Sequence, residues 1–185
     1  MFAFCTMNKE RAVDKSKKAE ELLLKIAQGD MDAVGELYDL IKTDVYAFAL
    51  SKIKNKTDAE DIMQETFVRV FKHAKQYNPS GKPMAWIITI EINLIRRFFQ
   101  LSSRTTALND AVYSENHDCK SEAEIVDSVF VRNLISTLGD EDREIIVLHL
   151  VVGLKHREIA KILGKPLSTV LSKYNRALKK LKRDV

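Results

Sequence analysis

The chain has 185 residues, 45% of them hydrophobic, and its 30 Lys and Arg against 26 Asp and Glu leave a net charge of +4. That composition describes a globular protein and excludes a disordered or fibrous chain, while 6 Gly and 3 Pro exclude collagen and Pro-rich linkers. Two cysteines, Cys5 and Cys119, cannot build a disulfide framework, no charged-then-apolar leader is visible, and no apolar run reaches the roughly 18 residues of a membrane span, so a cytoplasmic chain that is not an integral membrane protein is expected.

Apolar residues recur at spacings of three and four without a stretch of strict alternation, which predicts an all-α fold. Leu22, Leu23, Ile26 and Ala27 mark a short first helix that stops at Gly29. Asp30 can cap a second, whose stripe runs Ala33, Val34, Leu37, Ile41, Val45, Phe48 and Ile53. Thr57-Asp58-Ala59-Glu60 fits a capping box for a third, with Ile62, Met63, Phe67, Val70, Phe71 and Ala74 along one face. Asn78 to Pro83 then breaks the pattern, and Pro83 suits the first turn of a helix over about 84–100. That helix is apolar nearly all round, with Trp86, Ile87, Ile90, Leu94 and Phe98 on one side and Ile88, Ile92, Ile95 and Phe99 on the other. Such a helix either sits at the centre of a bundle or keeps one face for a partner.

From 101 to 123 no period survives and Ser, Thr, Asn and Asp dominate. Two small helical domains, residues 18–100 and 124–185, joined by a flexible linker, are therefore expected. His117 and Cys119 in that stretch are too few for a zinc site, so neither metal nor cofactor is expected. Val126, Val129, Phe130 and Leu134 resume the helical period as far as Gly139. The negative charges of Asp140, Glu141 and Asp142 suit the start of another helix, which carries Ile145, Ile146, Leu148 and Val152 and closes at Gly153.

A short helix (Glu158-Ile159-Ala160-Lys161-Ile162-Leu163), Gly164, a Lys165-Pro166 turn and a longer helix over about Leu167–Arg183 make a helix-turn-helix, with Ile159, Ala160 and Leu163 packed against Val170. Lys155 to Arg183 holds ten basic residues and one acidic residue, Glu158, a pattern that suits a polyanion or a solvated helix face. In such a unit the second helix enters the DNA major groove. Ser168, Thr169, Leu171, Ser172 and Lys173 would then face bases, with Arg176, Lys179 and Lys180 toward phosphates. No Gly-rich phosphate loop, paired His-Glu helix motif or Ser/His/Asp array is visible, so neither catalysis nor a small-molecule substrate is expected.

The run from Asp58 to Ala74 (DAEDIMQETFVRVFKHA), followed by Ala85-Trp86-Ile87 and Asn93, resembles region 2 of bacterial RNA polymerase sigma factors of the extracytoplasmic-function (ECF) group. The tail Glu158-Ile159-Ala160, Thr169-Val170-Leu171-Ser172-Lys173 and Arg176-Ala177-Leu178 resembles their region 4. The likeness covers about residues 20–100 and 124–182. It implies a dissociable subunit of core RNA polymerase that recognises −35 and −10 promoter elements and promotes strand opening, with an anti-sigma factor as a further partner. By position, Asp58, Asp61, Gln64, Glu65 and Arg69 would dock a coiled coil of the polymerase's large subunit. Tyr77, Asn78, Ser80 and Lys82 would take an unstacked base of the −10 element, and Asn93, Arg96 and Arg97 would face the duplex just upstream. Trp86 is expected in the core. Glu91, Ile92, Arg97, Gln100, Leu101, Lys155, Pro166, Ser168 and Leu171 depart from the family's usual residues, so the promoter sequence does not carry over. A free-standing helix-turn-helix regulator with an N-terminal interaction domain and a protein-interaction adaptor with a basic tail are the other readings.

Overall fold

The computed structural model describes residues 2–53, 55–106 and 138–183, and every regular element among them is helical. Helix α1 (Phe2–Gln28) extends well before the short apolar signal at Leu22–Ala27. It stops where Gly29 takes φ +98°, a left-handed turn that glycine adopts without steric penalty. The Asp30 carboxylate accepts from the Asp32 and Ala33 N–H groups at 3.0 and 3.2 Å, so the expected cap of α2 (Asp32–Ile53) is present. The cap of α3 (Lys56–His73) is not the expected one. Asn55 accepts from the Asp58 N–H at 3.2 Å, and with that donor satisfied the helix begins before Thr57. A 3-10 turn (Ala74–Gln76) and a loop over 77–82 lead into α4 (Pro83–Thr106). Leu101 to Thr106, expected as linker, continue this helix. The rest of the expected linker, His117 and Cys119 within it, and the helix expected over Val126–Leu134 lie outside the described residues.

The C-terminal helices are α5 (Asp140–Ile146), which runs into a π-helical turn (Val147–Val151), then α6 (His156–Leu163) and α7 (Leu167–Arg183). The π turn is signalled by no residue type in the sequence; the Val152 N–H reaches back to the Val147 carbonyl at 3.1 Å.

Leu22, Leu37, Ile41, Phe48, Ile87 and Ile88 are fully buried at the centre of the N-terminal bundle, each contributing roughly 1.5–3 kcal/mol of apolar transfer. This core does not end at the bundle. Ile145, Val147, Leu148 and Ile159 belong to the same continuous apolar cluster, because α2 packs on α5 and the π turn, and α4 packs on α6. The two helical pieces therefore meet in a seam, and the second apolar side of α4 is buried at Ile88, Ile92 and Ile95, while Phe99 at its end stays 46% exposed. Polar groups fix the seam. The buried Arg143 guanidinium donates to the Ser51 carbonyl at 3.4 Å, to Asp140 at 2.7 Å and to the Leu138 carbonyl at 2.6 Å, and Lys52 pairs with Glu144 at 3.3 Å.

One residue of α4 works against this packing. Glu91 is fully buried, and neither carboxylate oxygen has a hydrogen-bond partner among the described residues. Burial pushes its carboxyl well above the usual range; the nearby Ala49 backbone, outside hydrogen-bond geometry, opposes the push only in part, and the Asp44 carboxylate adds to it. Glu91→Met should raise the unfolding free energy at pH 7 by about 1–3 kcal/mol. The native carboxyl is stabilising below its ordinary pKa of 4.5 and loses that contribution as pH rises. The advantage of the variant, read by denaturant unfolding, should therefore grow from pH 5 to pH 8; equal stability at both would show that the carboxyl is satisfied.

Candidate nucleic-acid interface

The helix-turn-helix is built by short-range backbone chemistry. Gly164, at φ +64°, ends α6, and the Lys165 N–H returns to the Ala160 carbonyl at 2.9 Å, a glycine-dependent C-terminal motif that turns the chain toward α7. Pro166 has no N–H to satisfy, and its carbonyl accepts from Val170 at 3.2 Å. At the other end of α6, the Glu158 carboxylate accepts from the Lys155 N–H at 2.9 Å, the reciprocal half of a capping box, and the Lys155 carbonyl accepts from the Glu158 N–H at 2.8 Å in place of the hydroxyl that Lys155 lacks. Ile159, Ala160 and Val170 are buried between the two helices. Behind them the His149 and His156 rings stack at 4.1 Å, and Tyr174 sits edge-on to both at 4.9 and 4.6 Å. A carbonyl can only accept, so His149 donates from Nδ1 to Leu154 at 2.8 Å. The His156 Nε2 is buried without a described partner, and burial, with His149 alongside, lowers its pKa.

On the outer side of α7, Ser168, Leu171, Ser172, Arg176, Lys179 and Lys180 are exposed, while Thr169 and Lys173 are half-buried. Six of the eight residues expected to meet bases and phosphates are thus exposed. Several cations of this unit are already held. Lys165 and Lys173 both pair with Glu141, and Arg176 forms a two-pronged bond with Asp142 at 3.0 and 2.7 Å. Hydrogen bonds from Lys165 and Lys173 bring the Glu141 carboxyl down to about 2, and Asp142 raises the Arg176 pKa. In the sequence, Glu141 and Asp142 read as a helix N-terminus; their ion pairs span 24 and 34 residues and leave no periodic trace.

In the N-terminal bundle the loop after α3 is held at both ends. Tyr77, expected as a base-contacting residue, is buried, its ring edge-on to Trp86 at 5.3 Å. Its hydroxyl donates to Glu20 at 2.7 Å, and the same carboxylate oxygen accepts from the Ser80 and Gly81 N–H groups at 3.0 and 2.8 Å. Burial and then the Glu20 carboxylate push the Tyr77 phenol up to about 12. The Tyr77, Gly81 and Ser80 donors in turn lower the Glu20 pKa. Asn78, Ser80 and Lys82 are exposed. Asn93, Arg96 and Arg97 are exposed on α4, and Arg96 lines a recess on the seam with Lys52, Phe99 and Glu144.

Along α3, Asp61 and Gln64 are exposed, Asp58 is half-buried, and Glu65 and Arg69 are half-buried and paired at 2.9 Å. Two apolar side chains join them. Val68 and Phe71 are 43% and 40% exposed. Phe71, expected on the core face, instead continues the outward stripe 61, 64, 68, 71, because Val70 and Ala74 already fill the inward positions. Spacing of three and four from Asp61 could have found it.

Comparison with known families gives these two surfaces a common context. The sigma-70 region 2 family matches residues 37–105, and the sigma-70 region 4 family matches residues 131–181, in that order. The chain belongs to the sigma-70 family, in its ECF group. As such it is a promoter-recognising RNA polymerase sigma factor. It is 28% identical over 174 residues to the ECF sigma factor BldN of Streptomyces coelicolor, covering 91% of this chain and 66% of BldN. It is likewise 28% identical to the ECF sigma factor SigM of Bacillus subtilis, over 80% of this chain and 93% of SigM. Among solved structures, the sigma factor RpoE from Bartonella quintana, co-crystallised with the anti-sigma factor NepR, matches 80% of this chain and 94% of its own at a TM-score of 0.63 and 25% identity.

Whether the α7 cations reach phosphate is readable from the salt dependence of DNA binding. Each cation that meets a phosphate contributes about 0.9 to the slope of log K against log salt. Lys173→Ala with Arg176→Ala should flatten that slope by about 2, and Glu141→Gln with Asp142→Asn should steepen it by about 1 and tighten binding at low salt. Titration of a labelled duplex across salt concentrations reads both, and two unchanged slopes would show that these cations never meet phosphate. A separate pH effect follows from His156. Because its folded pKa lies below the ordinary 6.5, the unfolded chain takes up a proton that the folded one resists, and stability falls as pH drops below 6.5. Thermal unfolding between pH 7.5 and 5.5 should show that loss, and His156→Gln should reduce it.

Proposed function

We propose a division of labour for this sigma factor in which α7 grips the −35 element, the loop 77–82 with the exposed side of α4 takes the −10 element, and the outward stripe of α3 docks core RNA polymerase. The observation that carries it is the presence, on two helical units of one chain, of two distinct DNA-suited surfaces beside a third that is polar at Asp61 and Gln64 and apolar at Val68 and Phe71. Such a mixed patch on an exposed helix suits a protein partner. Residues 18–100 and 124–185 are the two functional units of this reading. A free-standing regulator would use α7 equally well but leaves that stripe unexplained.

The closed seam has a consequence for this mechanism. Elements about 25 base pairs apart lie roughly 85 Å apart along duplex DNA, and α4 touching α6 cannot reach both. The seam therefore parts when the polymerase binds. An anti-sigma protein that holds the two units is a further expected partner; RpoE from B. quintana was co-crystallised with one. No helix among the described residues is long and apolar enough to cross a membrane, and action in the cytoplasm fits this reading.

Abortive transcription with core polymerase and a library of two-element promoters tests the reading as a whole. Output that requires the protein is expected, and equal output without it overturns the proposal. Asp61→Arg with Gln64→Arg should cut core affinity by at least about tenfold while the melting temperature stays within a few degrees, as new positive charges on an exposed face disturb binding far more than folding. Loss of the fold in that variant is checked by circular dichroism.

A further inference from the structure

A single carboxylate oxygen organises the whole loop between α3 and α4. Glu20, on α1, accepts from the Tyr77 hydroxyl, the Ser80 N–H and the Gly81 N–H at 2.7, 3.0 and 2.8 Å. Gly81 takes φ +67°, and this left-handed step turns two successive N–H groups toward one point. Convergent amides of that kind form an anion-binding nest. Here the nest is filled from within the protein. An internal carboxylate would be adverse beside DNA unless it served the loop, because it adds negative charge next to a surface that approaches a polyanion.

We propose that Glu20 is the positioning residue of the −10 loop: it anchors the Ser80-Gly81 turn and keeps DNA phosphate out of the nest, so that Asn78 and Lys82 meet an extruded base. The inference rests on the reading of residues 77–82 as the −10 loop. Tyr77 contributes as an anchor, its hydroxyl bound to Glu20 and its ring against Trp86, and does not itself stack on the base. Preorganisation of this kind lowers the ordering cost of capturing an unstacked base. Glu20 acts through the loop and touches no nucleotide.

The test uses holoenzyme assembled from core polymerase and the full chain, with strand opening read by permanganate reactivity of −10 thymines. Glu20→Ala should reduce open complexes about tenfold, while core affinity and −35 duplex affinity stay within about twofold. Glu20→Gln keeps an acceptor oxygen and should recover opening to within about threefold of the native protein. A loss of core affinity or of melting temperature that Gln fails to rescue would mark Glu20 as a general structural contact and overturn the proposal. Native opening by Glu20→Ala, with opening impaired in Asn78→Ala and Lys82→Ala, overturns the role of Glu20 and leaves the loop reading intact. Native opening by all three variants overturns both.

Discussion

Helix α4 is occupied on more than one side, and the rest of the molecule is arranged around that fact. Ile87 and Ile88 lie fully buried in the core, while Ile92 and Ile95 border the recess that Glu144 shares on the seam. An apolar stripe of this width favours cover, since each large side chain exposed forfeits roughly 1.5–3 kcal/mol. The C-terminal helices supply the missing cover. The N-terminal end of the same helix presents the loop 77–82, and its outer side presents Asn93, Arg96 and Arg97. Burial and display are thus divided along a single rod.

The seam that covers α4 differs in character from the core beneath it. It is apolar at Ile145 and Ile159 but is set in place by the Arg143 guanidinium and by the Lys52–Glu144 pair. A partly polar boundary can part at modest cost, because its charged groups recover hydration when they separate. A uniformly apolar one could not. That property suits the proposed division of labour, in which the two halves serve sites far apart on DNA.

Both DNA-suited surfaces use acids to hold the groups that face outward. Asp142 orients Arg176 through a two-pronged bond, Glu141 bridges Lys165 and Lys173, and Glu20 gathers the donors of the loop. A long cation tethered by a carboxylate loses rotamer freedom before DNA arrives, at the expense of competition for the phosphate. Order and affinity are exchanged at these sites.

Much of this was legible from residues alone. The three-and-four spacing marks α2, α3, α4 and α7, Asp30 marks a start, and Gly164 before Lys165-Pro166 marks the turn, because helix periodicity and capping are interactions between near neighbours in the chain. The cap at Asn55, the outward turn of Phe71 and the π turn at Val147–Val151 depended on which of several local options satisfied the most donors and filled the core. The carboxylate clips lay beyond any such pattern. Glu20 meets its loop across 57 to 61 residues, and Asp142 meets Arg176 across 34, so their pairing exists only once the helices have packed and brought charges together that no local spacing relates.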